Sequence, residues 1–380
     1  MKFMHLSDLH IGKRLNEFSL AEDQAHILDK ILETAKNERV DAVIIAGDIY
    51  DRSVPSVEGV RLFDRFITAL SEMGIYVFII SGNHDSPERL AFGSGLMAAS
   101  RVFISPVYEG DIEPVKLSDE FGDIFVYLLP FVKPAQVRHY FPDEKIESYT
   151  QMMEFIVSRM DIDKNKRNIL VTHQYAAGAE KSDSEETLTA GGTESIDFGV
   201  FSNFDYTALG HIHKAQFIGG KSVRYCGTPL KYSFNEEYQE KTLTILELSE
   251  KGRISFTEIP LQPLRDMRTI KGTYEELTAL SFYGNTNTDD YIRAILTDED
   301  DVVNAMARLR TIYPNLMTMS YENSRTKADF QINDNYVYED KSPMEHFSDF
   351  FEMVNGSKMS EKQRKFTAEL IEKITEEGQQ

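Results

Sequence analysis

Asp8 and His10 in SDLH, Asp48 and Asp51 in GDIYD, Asn83 and His84 in SGNHD, His173 in VTHQ, and His211 and His213 in GHIH all follow directly on short apolar runs. The chain has nine histidines, and five of them fall in these places, beside Gly, Asp or Thr. One such histidine is ordinarily a satisfied structural residue, but five in equivalent positions are not scattered surface groups. Imidazole, carboxylate and an amide oxygen together suit intermediate divalent metals such as Mn2+, Fe2+ or Zn2+. The single cysteine, Cys226, leaves no thiolate-type structural zinc site. Asp8, His10, Asp48, Asn83, His173, His211 and His213 are too many donors for one ion. Two divalent ions about 3.5–4 Å apart, bridged by one carboxylate, would use them all and would serve in-line attack at phosphorus. Asp48, next to Gly47, is the expected bridge. His84 is then free to face the substrate and give a proton to a leaving alkoxide. Asp51 is near enough in sequence to orient or tune the site. Asp85 is expected to tie down its turn through backbone N–H groups.

These groups converge only if the apolar runs are parallel strands. KFMHLS, DAVIIAGD and IYVFIIS alternate with two amphipathic stretches, in which Ile27, Leu28, Ile31, Leu32 and Ala35, then Val60, Phe63, Ile67 and Leu70, recur at helical spacing. That is βαβαβ, and in such sheets ligands bind beyond the carboxyl ends of the strands. DIFVYLLP, RNILVTHQ, YTALGHIH, KSVRYCGTP and KTLTILELSE are further strands with fewer helices between them. They point to a mixed α/β sandwich rather than a pure doubly wound sheet.

The pattern resets around Pro260 and Pro263. We divide the chain into residues 1–264, 265–332 and 333–380. The middle segment reads strand, helix, strand, helix, strand, with its second helix over EDDVVNAMARLRTIY and a capping box at Thr273 and Glu276. The tail carries two helices, opened by Ser342-Pro343-x-Glu345 and Ser360-x-x-Gln363. Their apolar faces (Phe347, Phe350, Phe351 and Val354, then Phe366, Leu370 and Ile374) either pack on their own chain or dock on a partner. The polar stretch 176–195, directly after His173, is a lid or a surface loop.

The net charge is −21, and alone it argues against a nucleic-acid partner. A metal site neutralises phosphate locally, however, and Lys13, Arg14, Arg52, Arg89, Lys133 and Arg138 are basic groups that could line one face. No apolar run approaches the ~20 residues of a membrane span. The MKFMHLSDLH start does not read as a signal peptide, and one cysteine fits a reducing cytosol.

The succession D-x-H, GD-x-x-D, GNHD, H and GHxH resembles that of the calcineurin-like metallophosphoesterases, over roughly residues 1–230. Within them, MKFMHLSDLHIGKRL, GDIYDRSVPS, ISGNHDSPERL, LGHIHKAQ and YCGTPLKYSFNE resemble the DNA nuclease subunits that work beside an SbcC-type ATPase. The resemblance implies an α/β fold, a four-layer sandwich of mixed sheets with a small α+β cap domain and C-terminal helices. It implies one metal held by Asp8, His10, Asp48 and His213, and another by Asp48, Asn83, His173 and His211, with His84 as proton donor. It further implies Mn2+, DNA as substrate, ATP used by the partner, two copies of each subunit, a cytoplasmic bacterial location, and tail docking through Phe347, Phe350, Phe351, Phe366 and Leu370. Many relatives carry His where this chain has Asp51, whose carboxylate would act on His84 by opposite charge.

Three other readings stand beside this one. A protein phosphatase is kept open by GDIYDR, whose Arg52 would grip phosphate, although Ser53 stands where those enzymes have Gly. A small-molecule phosphodiesterase leaves residues 266–380 unexplained. A dead metal-binding scaffold would be expected to have lost a ligand, and none is missing.

Overall fold

The computed structural model describes residues 1–180, 195–324, 326, 343–355 and 358–377. They form two compact units, Met1–Tyr321 and Glu322–Gln380. The strands of the first unit begin with β1 (Lys2–Leu6), β2 (Arg14–Leu15), β3 (Phe18–Ser19), β4 (Ala42–Ala46), β5 (Tyr76–Ile80) and β6 (Val102–Ile104). There follow β7 (Val115–Asp119), β8 (Gly122–Leu129), β9 (Arg167–His173), β10 (Tyr206–Gly210), β11 (Gln216–Phe217) and β12 (Val223–Tyr225). The last are β13 (Thr242–Leu248), β14 (Ile254–Pro260), β15 (Met267–Gly272), β16 (Tyr291–Leu296) and β17 (Leu316–Tyr321).

Two six-stranded sheets result, ordered β14-β13-β1-β4-β5-β6 and β11-β12-β10-β9-β8-β7. Both are mixed. In the first, β1, β4, β5 and β6 are parallel and β13 runs antiparallel to β1. In the second, β8, β9, β10 and β12 are parallel. The continuously apolar strands are explained by burial on both faces. Val43 and Ile45 of β4 face a core shared with the helices Ala21–Glu38 and Val57–Glu72. Ala42, Ile44 and Ala46 face the other sheet, against Val126, Ile169 and Ala208. A third core packs the helices Pro134–Tyr140 and Tyr149–Arg159 on the far side of the second sheet. Helices, sheet, sheet and helices are the four expected layers.

Helix Val57–Glu72 is capped by Ser56, whose hydroxyl accepts from Gly59 N at 3.1 Å. Its buried face is Phe63, Phe66, Ile67 and Leu70. Val60, expected inward, is instead 44% exposed, because the buried place in that first turn is taken by Gly59 against Ile11.

The small sheet β15-β16-β17 is wholly parallel and has its own core around Ile270, Ile292 and Leu316. The Thr273–Glu276 capping box is present. The helix expected over EDDVVNAMARLRTIY is confined to Ala305–Leu309, because Asn304 adopts a left-handed φ of 54° just before it. Asp23 of helix Ala21–Glu38 fastens this sheet to the sandwich, accepting from Arg265 Nη1 at 2.9 Å and Tyr291 Oη at 2.6 Å.

The second unit contains the helices Pro343–Asn355 and Glu361–Glu377. Ser360 and Gln363 cap the latter reciprocally, Gln363 N donating to Ser360 Oγ at 3.4 Å and Ser360 N to Gln363 Oε1 at 2.9 Å. Phe347, Phe351, Phe366, Leu370 and Ile371 line a cavity of about 380 Å3 between them. The Ser342 cap, most of the 176–195 stretch and the side chains of Val354 and Ile374 lie outside the described residues. Among those described, no helix is long and apolar enough to cross a membrane.

Candidate metal centre

Five parallel strands end at one edge of the sandwich and deliver the expected donors there. Asp8 and His10 follow β1, Asp48 follows β4, and Asn83 and His84 follow β5. His173 ends β9, and His211 and His213 follow β10. The backbone is packed so closely at this edge, between neighbouring loops of the first sheet and between the two sheets, that glycine is obligatory. A Cβ on Gly82 would lie 2.1 Å from Asp48 Oδ1, and one on Gly210 would lie 1.9 Å from Ala46 O.

Four of the donors sit in strained backbone. Asp8, His10, Asp48 and His211 have φ of 52°, 44°, 50° and 102°. Such non-glycine conformations cost on the order of 1–3 kcal/mol each and persist only where surroundings impose them. Here hydrogen bonds do so: Asp8 N to Gly47 O at 3.0 Å, His10 N to Asp48 O at 3.0 Å, and His211 N to both Asp8 carboxylate oxygens at 3.1 Å.

The donor atoms fall into two clusters. In one, His10 Nε2 and His213 Nε2 are 3.3 Å apart, with an Asp8 oxygen in reach of both. In the other, Asn83 Oδ1 lies 3.0 Å from His173 Nε2 and 3.0 Å from His211 Nδ1. Asp48 Oδ2 stands between them, 3.8 Å from His10 Nε2 and 3.4 Å from His173 Nε2. Asp8 also falls within reach of Asp48 and His173.

His84 stands apart in exposure. Its side chain is 16% accessible, against 2% for His10 and 0% for His173. Its Nε2 is 3.9 Å from Asp48 Oδ2. The carboxylate of Asp51 pairs with Lys13 Nζ at 2.8 Å and lies 3.8 Å from His10 Nδ1. The backbone carbonyl of Asp51 lies 3.1 Å from His84 Nδ1, and its peptide N–H is held by Ile11 O at 3.2 Å. Asp85 accepts from Ile49 N, Tyr50 N and Gly82 N at 3.1, 3.0 and 2.9 Å, the expected role.

The electrostatics fit a cation. Burial opposes the charged form of Asp48, yet the imidazoles of His173, His10 and His84 hold its carboxyl well below the usual carboxylate range. Burial, with the nearby Asp48 charge adding to it, pushes Asp8 the other way. Burial also drives His10 well below the ordinary imidazole value, and its Nδ1 makes no hydrogen bond. Two buried carboxylates, Asp8 and Asp48, beside ring nitrogens of His10 and His213 that face each other at 3.3 Å are a donor set for divalent ions.

Sequence reasoning missed the groups that hold these donors. His173 Nδ1 is 2.8 Å from Ala46 O. The His10 loop is braced by Gln24, whose Nε2 donates to His10 O at 2.7 Å, and by Tyr232, whose hydroxyl donates to Leu9 O at 2.5 Å. Behind His213 lie Glu236 and Lys241. The SFNEEYQEK stretch holds both residues, but its sequence carries no sign of which ring they face. Of the basic residues, Lys13 is engaged by Asp51, Arg14 donates to Glu17 O at 2.7 Å, and Arg89 donates to Ser53 O at 2.9 Å. The Arg52 side chain is 82% exposed.

The calcineurin-like phosphoesterase family model matches residues 1–215, and one described as the type 5 capsule protein repressor C-terminal domain matches residues 263–355. The SbcD subunit of the nuclease SbcCD from Staphylococcus epidermidis is 37% identical over 323 residues, 84% of this chain and 85% of that protein. A protein of the same name from Staphylococcus saprophyticus is 34% identical over 382 residues, 100% of both chains. Among solved structures, a dimetal phosphatase from Danio rerio is 13% identical over 69% of this chain and 99% of that one, with a TM-score of 0.42. Matched from its first residue through the donor edge, and similar along its whole length to those two staphylococcal proteins, the chain belongs to the calcineurin-like phosphoesterases and, within them, to the SbcD family of SbcCD nuclease subunits.

Proposed function

We propose that this chain is the metal-dependent nuclease subunit of a DNA end-processing complex, working beside an SbcC-type ATPase. The observation that carries the reading is Asp48 Oδ2 standing between two donor clusters, with the more exposed His84 beside it. Asp8, His10, Asp48 and His213 would hold one divalent ion, and Asp48, Asn83, His173 and His211 the other. Such ions, Mn2+ in our reading, supply the charge that polarises a phosphodiester and lowers the pKa of water.

The chain's own residues do the rest. The strained loops present the ligands in advance, so little reorganisation accompanies the reaction. His84, fixed through its backbone and with a ring more accessible than those of His10 and His173, gives the proton to the departing sugar oxygen. Arg52, with Lys13, Arg14 and Arg89, meets the DNA phosphates. Duplexes would be trimmed from their ends, and single strands and hairpins cut internally, with ATP consumed by the partner.

The 265–332 segment would shape access for DNA, and the 333–380 segment would dock on the ATPase through the apolar cavity of its helices. Val54, Val57, Phe92 and Leu96 are exposed large hydrophobics, as at a pairing surface. They support a homodimer within a two-plus-two assembly. A cytoplasmic location agrees with Cys226, buried and with its thiol pushed up to about 12 by burial, hence inert.

The test is cleavage of an end-labelled duplex by the metal-stripped chain, with Mn2+ restored, with and without the ATPase and ATP. Metal-dependent nicking or trimming that rises with the partner is expected. Hydrolysis of an aryl phosphodiester without any cut in DNA would replace this reading with a small-molecule phosphodiesterase.

A further inference from the structure

We infer that the two metal positions are unequal, the one at Asp8, His10 and His213 holding its ion more tightly, and that Glu236 is the positioning residue responsible. The inference rests on the two-metal reading above. Glu236 is fully buried, and its Oε1 lies 3.6 Å from His213 Nδ1, the ring nitrogen opposite the one that faces His10. Lys241, also buried, pairs with Glu236 Oε2 at 2.5 Å and donates to the carbonyl of His213 itself at 3.0 Å. One buried ion pair therefore places its carboxylate behind the His213 ring and its ammonium on the His213 carbonyl.

A carboxylate behind a ligand imidazole places the ring proton on the nitrogen facing it and makes the other nitrogen a stronger donor. His10, in the same cluster, also has a carboxylate behind it: Asp51 Oδ1, 3.8 Å from Nδ1, although Lys13 shares that oxygen. The second cluster is built differently. His173 Nδ1 leans on the neutral carbonyl of Ala46, and Asn83 is a neutral amide. Apart from the shared Asp48, the first position thus has one ligand carboxylate and two more behind its rings. The second has a neutral oxygen ligand and a neutral backing group at His173. Glu236, whose Oε1 faces the ring while its ammonium partner sits on Oε2, contributes more of this difference than Asp51.

The test is a Mn2+ titration of the metal-stripped full chain, read by the paramagnetic resonance signal of free Mn2+. Wild type should show two ions bound in two affinity classes. Glu236→Gln should weaken the tighter class roughly 10–100-fold and leave the weaker class unmoved. Glu236→Gln leaves Lys241 buried without its counter-charge, so Glu236→Gln/Lys241→Met is titrated beside it; with both charges gone, it should fold and show the same selective loss. Two equal classes in wild type, a double variant that titrates like wild type, or equal weakening of both classes overturns the inference while leaving the metal centre in place. Absence of stoichiometric Mn2+ binding by wild type overturns the two-metal reading itself.

Discussion

The backbone N–H of His84 donates to Asp48 Oδ1 at 2.9 Å. The expected proton donor is therefore tied to the expected bridging carboxylate by main chain, and its ring is not needed to keep Asp48 in place. His84→Gln preserves that bond. The variant should bind Mn2+ with wild-type stoichiometry and lose DNA cleavage by roughly 10²–10⁴-fold. Loss of one ion, measured by elemental analysis after dialysis, would make His84 a ligand.

Asp85 satisfies three backbone N–H groups across two loops. Removing a charged acceptor strands buried donors, each worth about 1–3 kcal/mol. Asp85→Ala should lower unfolding stability by on the order of 3–5 kcal/mol. Asp85→Asn should recover part of that in urea denaturation. Unchanged midpoints for both would remove Asp85 from the architecture of the GNH turn.

Gly210 has no room for a methyl, which would lie 1.9 Å from Ala46 O and 2.6 Å from His173 Nδ1. Gly210→Ala must break the 2.8 Å contact between that carbonyl and the ring. It should destabilise the chain and weaken Mn2+ binding together. Gly95→Ala, where an added Cβ meets nothing within 4 Å, is the control. It should be neutral or stabilising by up to about 1 kcal/mol.

His5 is wholly buried, with its Nδ1 2.8 Å from the Tyr206 hydroxyl. Burial, and then the charge of Arg224, lower its pKa to about 3. The unfolded chain takes up this proton near pH 6.5 and the folded chain does not, so stability falls as pH drops from about 6.5 toward 3. The slope is about 1.4 kcal/mol per pH unit for this one group. His5→Gln should flatten the acid limb by that amount in denaturation of the metal-free chain at pH 7, 6 and 5. An identical pH profile in the variant would show that His5 is protonated in the folded state.

The ligands could be read from sequence because each is set by a local rule. A buried parallel strand is apolar to its last residue, so a polar group just beyond it stands at the carboxyl edge, and all such edges coincide. Asp8, Asn83 and His211 obey this rule whatever the far sequence does. The four layers follow from the same apolar runs, and the capping boxes at Thr273 and Ser360 from three-residue spacing. Other features depended on competition between neighbours. Val60 turns outward because Gly59 takes the inward place, and the third-sheet helix is short because Asn304 turns left-handed.

By itself, the sequence determined which residue types reach the edge, and hence the donor chemistry and the family. Tertiary structure alone decided how they divide: that Asp48 stands between the clusters, that the carboxylate of Asp51 faces Lys13 and His10, and that Glu236 backs His213 across 23 residues of chain. The physical reason is range. Strand ends and caps are settled by groups a few residues apart, whereas the charge behind a ring is set by whatever the packed sheets bring within about 4 Å of it, and no sequence spacing encodes that distance.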